Sequence, residues 1–279
     1  MSRAGPGRKV PWQARSLTQR CLEPEALDAL DADDPAAKHS RRDLILIHRF
    51  MGTVSILQAA LRRMPLHNSG QAPLKILELG AGDGLMMLRV ASRLARQWPA
   101  VELTLLDQQV LVSADTVARY AALGWTVQSL TMDLNVWMCA AQQGATDAPS
   151  VPDKPWDLVI ANLVLHHFSD NTLATLCSAI AAASERFLAC EPRRTSLALG
   201  ASRLVGLIGA NAVTRHDAVL SVRAGFRNQE LSSLWHAQRA CDLAGDSDNA
   251  ARTAIDWQVD EYPAGPFSHC FSAIRRRAA

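Results

Sequence analysis

From residue 74 onward the chain alternates short apolar runs with amphipathic stretches. Residues 74–79 (LKILEL) form an apolar run ending in glycines, and 101–106 (VELTLL), 125–130, 156–162 (WDLVIAN) and 187–190 repeat its length and branched-aliphatic character. Runs of this kind predict buried strands. Between them, 85–98, 110–123, 134–142 and 171–184 carry apolar residues at helical spacing, the second closed by Gly124. Strands alternating with helices of this length predict a parallel sheet with helices on both faces and right-handed crossovers. The Pro, Asp and Ser residues of 145–155 read as a loop.

The rhythm differs on either side of this block. Upstream, Ser40 reads as a helix N-cap with Asp43 three positions later, and Leu44, Ile47, Met51, Val54, Leu57 and Leu61 follow at helical spacing until Pro65. Residues 67–73 read as a polar turn, and 21–70 together as an N-terminal helical cap. Downstream of Glu191 the alternation stops. Residues 191–227 read as an insertion with one helix over 196–208, and 228–236 as a further helix. Residues 255–262 and 267–275 read as two strands joined by Pro263-Ala264-Gly265-Pro266, an antiparallel hairpin on the sheet edge. With five parallel strands this makes a seven-stranded, mostly parallel α/β sheet; 71–190 is the expected core and 228–279 its completion.

Composition narrows the class. With 279 residues, 48% of them hydrophobic, the chain can bury a sizeable core. A net charge of +2 is weak for a protein that grips nucleic acid through its phosphates. The six cysteines form no CxxC pair and no zinc-like Cys/His spacing, so they read as reduced thiols in a cytoplasmic protein, and no metal site is expected. No stretch reads as a transmembrane segment; 197–213, the most apolar, is broken by Arg203 and several glycines. The first twenty residues hold Arg3, Arg8, Lys9, Arg15 and Arg20 with no acid and no apolar core, and read as a disordered basic arm rather than a secretory signal, a transit segment being the alternative.

The candidate chemistry sits at one sheet edge. Open parallel sheets bind ligands beyond the carboxyl ends of their strands, where strand order reverses. The first strand ends in Glu78-Leu79-Gly80-Ala81-Gly82-Asp83-Gly84. Glycines there let backbone approach a ligand closely. Leu85 stands where a dinucleotide fingerprint needs a third small residue, and no Gly-Lys-Ser/Thr follows for a P-loop. Asp107 ends the second strand, 23 residues past Gly84, placed to accept from both hydroxyls of an adenosine ribose. Asp133 follows the third strand, within reach of an adenine amino group, and Asn162 ends the fourth.

The set ELGAGDG, LLDQ, MDL and ANLVLHHFSD, in this order and spacing, resembles class I S-adenosylmethionine (SAM)-dependent methyltransferases over roughly residues 74–191. That resemblance implies a Rossmann-like fold with SAM as co-substrate. It implies Gly80 and Gly82 beside the methionine portion of SAM, Glu78 supporting the turn and the ammonium group, Asp107 on the ribose, Asp133 on the adenine, and Asn162 beside sulfonium and acceptor. The flanking runs SRRDLILIHRFMGT, CEPRR, NAVTRHDAVLSVRAGF and FSHCF are similar to small-molecule methyltransferases associated with type III polyketide synthases. The Leu-Lys-Pro-Gly-Gly turn common in quinone C-methyltransferases is missing; Ala182–Arg186 stands in its place.

Methyl transfer to a phenol needs the acceptor's proton removed, which suits an imidazole near neutral pH. The run His166-His167-Phe168-Ser169-Asp170 is similar to the His-Asp-Trp-Ser-Asp run of plant phenol O-methyltransferases, whose first histidine is the general base. The match falls on His166, with His167 in reserve; pocket shaping or helix capping is the alternative for both. Arg193, Arg194, Arg215, His216, Asp217 and Arg223 read either as part of a lid over a lipophilic acceptor, one Arg or His meeting its polar end, or as a solvated charged connector. Arg41, Arg42, His48 and Arg49 read as SAM-carboxylate contacts or as surface charges. The expected function is therefore SAM-dependent O- or C-methylation of a small phenolic or polyketide-type aromatic, in a possible homodimer. A nucleic-acid methyltransferase, a dinucleotide-dependent reductase and an inactive SAM-binding partner are the competing readings. Against the first, Asn162 is followed by Leu163-Val164-Leu165 where base-amine methylation uses a Pro-Pro-aromatic run.

Overall fold

The structure is a computed structural model that describes residues 17–66, 72–143, 156–245 and 256–276. The expected loop at 145–155 lies outside the described residues, as do most of the turn at 67–73 and the first sixteen residues of the expected basic arm. The last four residues of that arm are placed: Arg20 lies against the core, its side chain 8% exposed, rather than in a solvated tail.

Seven strands form one sheet in the order β3-β2-β1-β4-β5-β7-β6. They are β1 (Leu74–Leu79), β2 (Val101–Asp107), β3 (Trp125–Thr131), β4 (Leu158–Asn162), β5 (Arg186–Pro192), β6 (Asp256–Ala264) and β7 (Ser268–Arg276). β1 to β5 pair in parallel, while β7 runs antiparallel to both β5 and β6, which is the edge hairpin expected from the sequence. The helices are α1 (Pro35–Met51), α2 (Thr53–Arg63), α3 (Leu85–Leu94), α4 (Ala114–Ala121), α5 (Leu134–Gln143), α6 (Asp170–Ala183), α7 (Ser196–Arg203), α8 (Ala212–Ala224) and α9 (Glu230–Gly245).

The near-continuous apolar strands have a simple cause: both faces are covered. Leu77, Leu79, Val159, Ala161, Phe187 and Ala189 point to one face, under α5, α6 and α9 with Trp137 and Trp235. Ile76, Leu103, Leu105, Leu158, Ile160 and Leu188 point to the other, under α2, α3 and α4 with Tyr120. Among the described residues, no single helix is long and apolar enough to cross a membrane.

Three expectations are corrected. The N-terminal helix begins earlier, capped by Asp34, whose side chain accepts from Ala36 and Ala37 N–H, and it breaks at Gly52 into α1 and α2, bent by 61°. Ser40 and Asp43, read as its capping box, lie inside α1, buried against the start of α8. There Ser40 Oγ donates to Asn211 Oδ1 (3.0 Å), and Asp43 accepts from Asn211 N (2.8 Å) and Thr214 Oγ1 (3.0 Å). The insertion holds a second helix, α8, and the expected 196–208 helix is α7 followed by a 3-10 turn over Val205–Ile208.

The return of the chain from α8 to the sheet is tight. Phe226 N donates to Pro192 O (2.9 Å) and Arg194 N to Phe226 O (2.9 Å), so residues after β5 and after α8 run side by side. A β-carbon on Gly225 would stand 2.2 Å from Pro192 O. Gly225→Ala is therefore expected to destabilise by about 2 kcal/mol or more. Gly200→Ala, inside α7 with nothing within 4 Å, should stabilise by roughly 0.5–1 kcal/mol. Paired urea melts measure both; equal effects would contradict this packing.

Candidate functional site

After β1 the chain turns through Gly80 and Gly82, with φ of 63° and 57°, a region side chains rarely enter. A β-carbon on Gly80 would meet Val164 Cγ2 at 2.7 Å, whereas one on Gly82 would meet nothing within 4 Å. The turn is thus wedged against the loop after β4 on one side and opens to space on the other. Asp83 Oδ1 accepts from Leu85 N (3.0 Å) at the start of α3. Asp107, ending β2, braces the turn: its carboxylate accepts from Gly82 N (2.8 Å) and Gln109 N (2.9 Å). Asp133 is exposed beyond β3, where Oδ1 accepts from Asn135 N (2.7 Å) and Nδ2 (2.9 Å).

A cavity of about 570 Å³ lies beyond the carboxyl ends of β1 and β4, where the strand order reverses. It brings together Glu78, Gly80, Gly82, Asn162, His166 and His167; Asp107 and Asp133 stand outside its lining. Its middle is apolar, walled by Leu44, Ile45 and Met51 of α1 and by Leu204, Val205 and Ile208 after α7. Three buried polar atoms of lining residues have no hydrogen-bond partner: Glu78 Oε2, Asn162 Oδ1 and His48 Nε2. These three atoms leave hydrogen-bonding capacity at the cavity wall unused by protein groups. Burial, with the charges of Asp83 and Asp107, pushes the Glu78 carboxyl up to about 8. Burial and then the charge of Arg89 push His48 down to about 4, so that ring is neutral.

The second polar end is built on the loop after β4. Leu163 takes φ 57°, uncommon for a leucine, and the chain winds into a 3-10 turn at Leu165–His167. Glu191, buried near the end of β5, holds that turn. It accepts from Val164 N (3.1 Å), Leu165 N (2.9 Å), His166 N (3.3 Å) and His166 Nδ1 (2.8 Å). The other ring nitrogen of His166 lies 3.4 Å from Glu25 Oε1. Burial alone would lower its pKa, but the hydrogen bonds and charges of Glu191 and Glu25 raise it to about 9. His166 is thus held between two carboxylates, one at each ring nitrogen.

His167 differs. Its ring sits 4.3 Å from that of His166, is 25% exposed, and bonds through Nδ1 to Asp28 Oδ2 at 3.1 Å. The hydrogen bond to His167 holds the Asp28 carboxyl below its ordinary range. Burial opposes ionisation of Glu25, yet His166, His167 and the Ser221 hydroxyl together hold its pKa below the ordinary value.

Sequence reasoning singled out none of Glu25, Asp28 and Glu191. Glu191 was accessible, since it lies at the same sheet edge as the other strand-end residues. Glu25 and Asp28 carry no local signal and reach the site only through tertiary anchoring. Ala26 N and Leu27 N donate to Asp217 (both 2.9 Å), and Arg20 donates to Phe168 O (2.9 Å), Ala224 O (2.8 Å) and Asp170 (2.7 Å). The expectation that an arginine of the insertion faces the cavity is corrected too. Arg194 is buried and paired with Glu230, Arg193 donates to Gly265 O, and the lining arginines are Arg41 and Arg89.

No family model and no curated protein matches the chain. Solved structures do. The plantazolicin methyltransferase BpumL, in complex with a triazolic desmethylPZN analogue and SAH, is similar at TM-score 0.53 and 13% identity, over 88% of this chain and 92% of that one. An O-methyltransferase family protein from Burkholderia thailandensis is similar at TM-score 0.51 and 13% identity, over 88% of this chain and 61% of that one. The pyocyanin biosynthetic protein PhzM is similar at TM-score 0.50 and 12% identity, over 88% of this chain and 60% of that one. These likenesses show the fold, a seven-stranded, Rossmann-like α/β architecture.

The Glu78 carboxyl carries a pH signature. Its folded pKa, about 8, lies above the ordinary 4.5, so the folded state keeps a proton that the unfolded chain has lost. Its stabilising contribution is complete below about pH 4.5 and is lost as the pH rises through about 8. Glu78→Gln should flatten that slope and raise Tm at pH 8.5 by about 2–4 °C or more. Calorimetric scans across this range check it; parallel curves for the two proteins would remove Glu78 from the titration.

Proposed function

We propose that the protein transfers the methyl group of SAM to a small lipophilic or aromatic acceptor held in the cavity. The observation that carries this reading is the row of orphaned buried atoms along an open glycine turn. Glu78 Oε2 lacks a cationic or donor partner, Asn162 Oδ1 lacks a donor, and the face of Gly82 is bare. A bound methionine portion supplies an ammonium group and sits where a β-carbon at Gly82 would intrude. The neutral imidazole of His48, beside Arg41 and Arg89, is placed for an anionic or acceptor group from the α1 side.

Asp107 and Asp133 stand at neighbouring strand ends, paired in register through Asp107 and Thr131. They fit a nucleoside lying along the sheet edge outside the cavity, as the expected ribose and adenine contacts. Gly82 N–H and Gln109 N–H each occupy one Asp107 oxygen, so Asp107 shapes the turn and offers the ribose the remaining acceptor site on each oxygen. Bound SAM supplies an electrophilic methyl on a positive sulfur; this chain's residues supply alignment and exclusion of water.

The acceptor occupies the apolar middle of the cavity, under the α7–α8 insertion acting as a lid, with its polar group towards His167. That histidine takes the acceptor-facing place expected of His166, and Asp28 fixes its ring. The neighbours described above support this chemistry by analogy of fold: one is a methyltransferase named for a natural product and bound to SAH, another an O-methyltransferase family protein.

Calorimetry should detect SAM binding, and Asp107→Ala should weaken it about tenfold or more. Incubation with labelled SAM and a panel of phenols, read by mass spectrometry, should give a product heavier by one methyl. His167→Ala should cut its formation about 100-fold by misplacing the acceptor, with SAM affinity little changed. Absence of both binding heat and product would overturn the assignment.

A further inference from the structure

The polar end of the cavity holds more negative charge than its histidines balance. Three carboxylates converge on two imidazoles: Glu191 on Nδ1 of His166 at 2.8 Å, Glu25 facing Nε2 of the same ring at 3.4 Å, and Asp28 on Nδ1 of His167 at 3.1 Å. The carboxylates thus outnumber the imidazoles they face by one. Arg20 is close by, but its guanidinium is taken up by Asp170 and by the carbonyls of His166, Phe168 and Ala224. Glu25 and Glu191 are sheltered from water, at 12% and 0% side-chain exposure, whereas Asp28 is half exposed, and sheltered charges are costly unless paired or coordinated to a metal.

The donor geometry is that of a coordination site. One ligand atom each from Glu25, His166 and His167 lies within 4.8 Å of the other two. Behind them stand the partners that metal-binding histidines ordinarily have: Glu191 on one ring and Asp28 on the other, each fixing tautomer and ring direction. All three donors are held from outside the cluster. The Leu165–His167 turn is fixed by Glu191, and the segment bearing Glu25 by Asp217 and by Ser221, whose hydroxyl bonds Glu25 itself. Closing three such atoms around an ion at bond lengths of about 2.1 Å takes a side-chain adjustment of about 1 Å.

We propose that Glu25, His166 and His167 form a binding site for one divalent transition-metal ion, with its remaining coordination positions open to the cavity. Two nitrogens and one carboxylate oxygen suit Zn²⁺, Mn²⁺, Fe²⁺ or Co²⁺ rather than Mg²⁺ or Ca²⁺, which prefer all-oxygen sets. The ion would lie between His166 Nε2 and Glu25, 3.4 Å apart, and offset the negative charge of the surrounding carboxylates. All five residues except Glu191 line the cavity, so the open positions face the space assigned to the acceptor's polar group. The site stands on its own geometry, whether or not the methyl-transfer reading holds.

The test uses full-length, tag-free protein stripped with chelator and titrated with ZnCl₂, and separately with CoCl₂, in the absence of SAM. The expected result is one equivalent of Zn²⁺ per chain and a visible cobalt absorption band on Co²⁺ addition. Glu25→Gln, which keeps the side chain's shape, and His167→Ala should each weaken Zn²⁺ binding at least tenfold, and Asp28→Asn about tenfold through loss of ring orientation. His39→Ala and Cys139→Ser, at exposed positions elsewhere, should leave it unchanged. Thermal melts of each variant confirm folding. No stoichiometric binding to the wild type, or equal affinity in the wild type and the Glu25 and His167 variants, overturns the proposal. Failure of SAM to bind in a parallel titration would leave the metal result intact and strike only the methyl-transfer reading.

Discussion

One buried carboxylate organises the functional edge of the sheet. Glu191, with its side chain fully sheltered from solvent, gathers three consecutive backbone N–H groups and a ring N–H of the loop after β4. Charge-assisted hydrogen bonds of this kind are about twice as strong as neutral ones, and no water competes for them here. They hold Leu163 in its left-handed conformation, press Val164 against Gly80, and turn both histidines to the same side. The glycine turn and the histidine turn are thus two faces of one arrangement. Losing Glu191 would orphan four donors at once and release the wedge that keeps the glycine turn in place.

The cavity above this edge is closed by segments far apart in sequence, joined through polar seams rather than apolar ones. Asp43 of α1 ties to Asn211 and Thr214 at the start of α8, and Asp217 of α8 ties back to the backbone at Ala26 and Leu27. Asp43 satisfies the Asn211 N–H and the Thr214 hydroxyl at the start of α8, and Asp217 satisfies two backbone N–H groups at Ala26 and Leu27. The apolar side chains of the same elements are thereby freed to face inward, and a lipophilic chamber forms between segments that are polar where they touch. Exposed Phe50, Leu204 and Leu207 carry the apolar character outward from α1 and the insertion.

The sheet was legible because it obeys simple periodicities: strands buried on both faces read as short aliphatic runs, separated by helices at regular spacing. Glu78, Gly80, Gly82 and Asn162 were legible for the same reason, since strand ends at the order reversal face one cavity. What sequence could not supply was partnership. His166 and His167 are neighbours with the same side chain, yet one is clamped between two carboxylates and the other keeps an exposed edge. That difference comes from Glu25 and Asp28, about 140 residues upstream. The capping signal at Ser40 and Asp43 misled because the same residue types that cap a helix also bridge helices. α8 was missed because its sequence, AVTRHDAVLSVRA, buries Asp217 and Arg223 as well as Leu220 and Val222, which blurs the apolar stripe.

The charges around the cavity set what can enter it. Glu25, Asp28, Glu78, Asp83 and Asp217 line it against Arg41 and Arg89, with an apolar middle between the polar ends. A phosphate backbone would meet carboxylates at both ends, with only two arginines to attract it. A cationic methyl donor meets the opposite balance: the ionised form of Glu78, disfavoured while it is alone, becomes favourable once a positive group lies beside it. A neutral, lipophilic acceptor loses little by desolvation in the middle and needs only one polar group to choose its orientation. Uncompensated negative charge at the glycine turn thus favours a positive group there, and the apolar middle of the cavity favours an uncharged one.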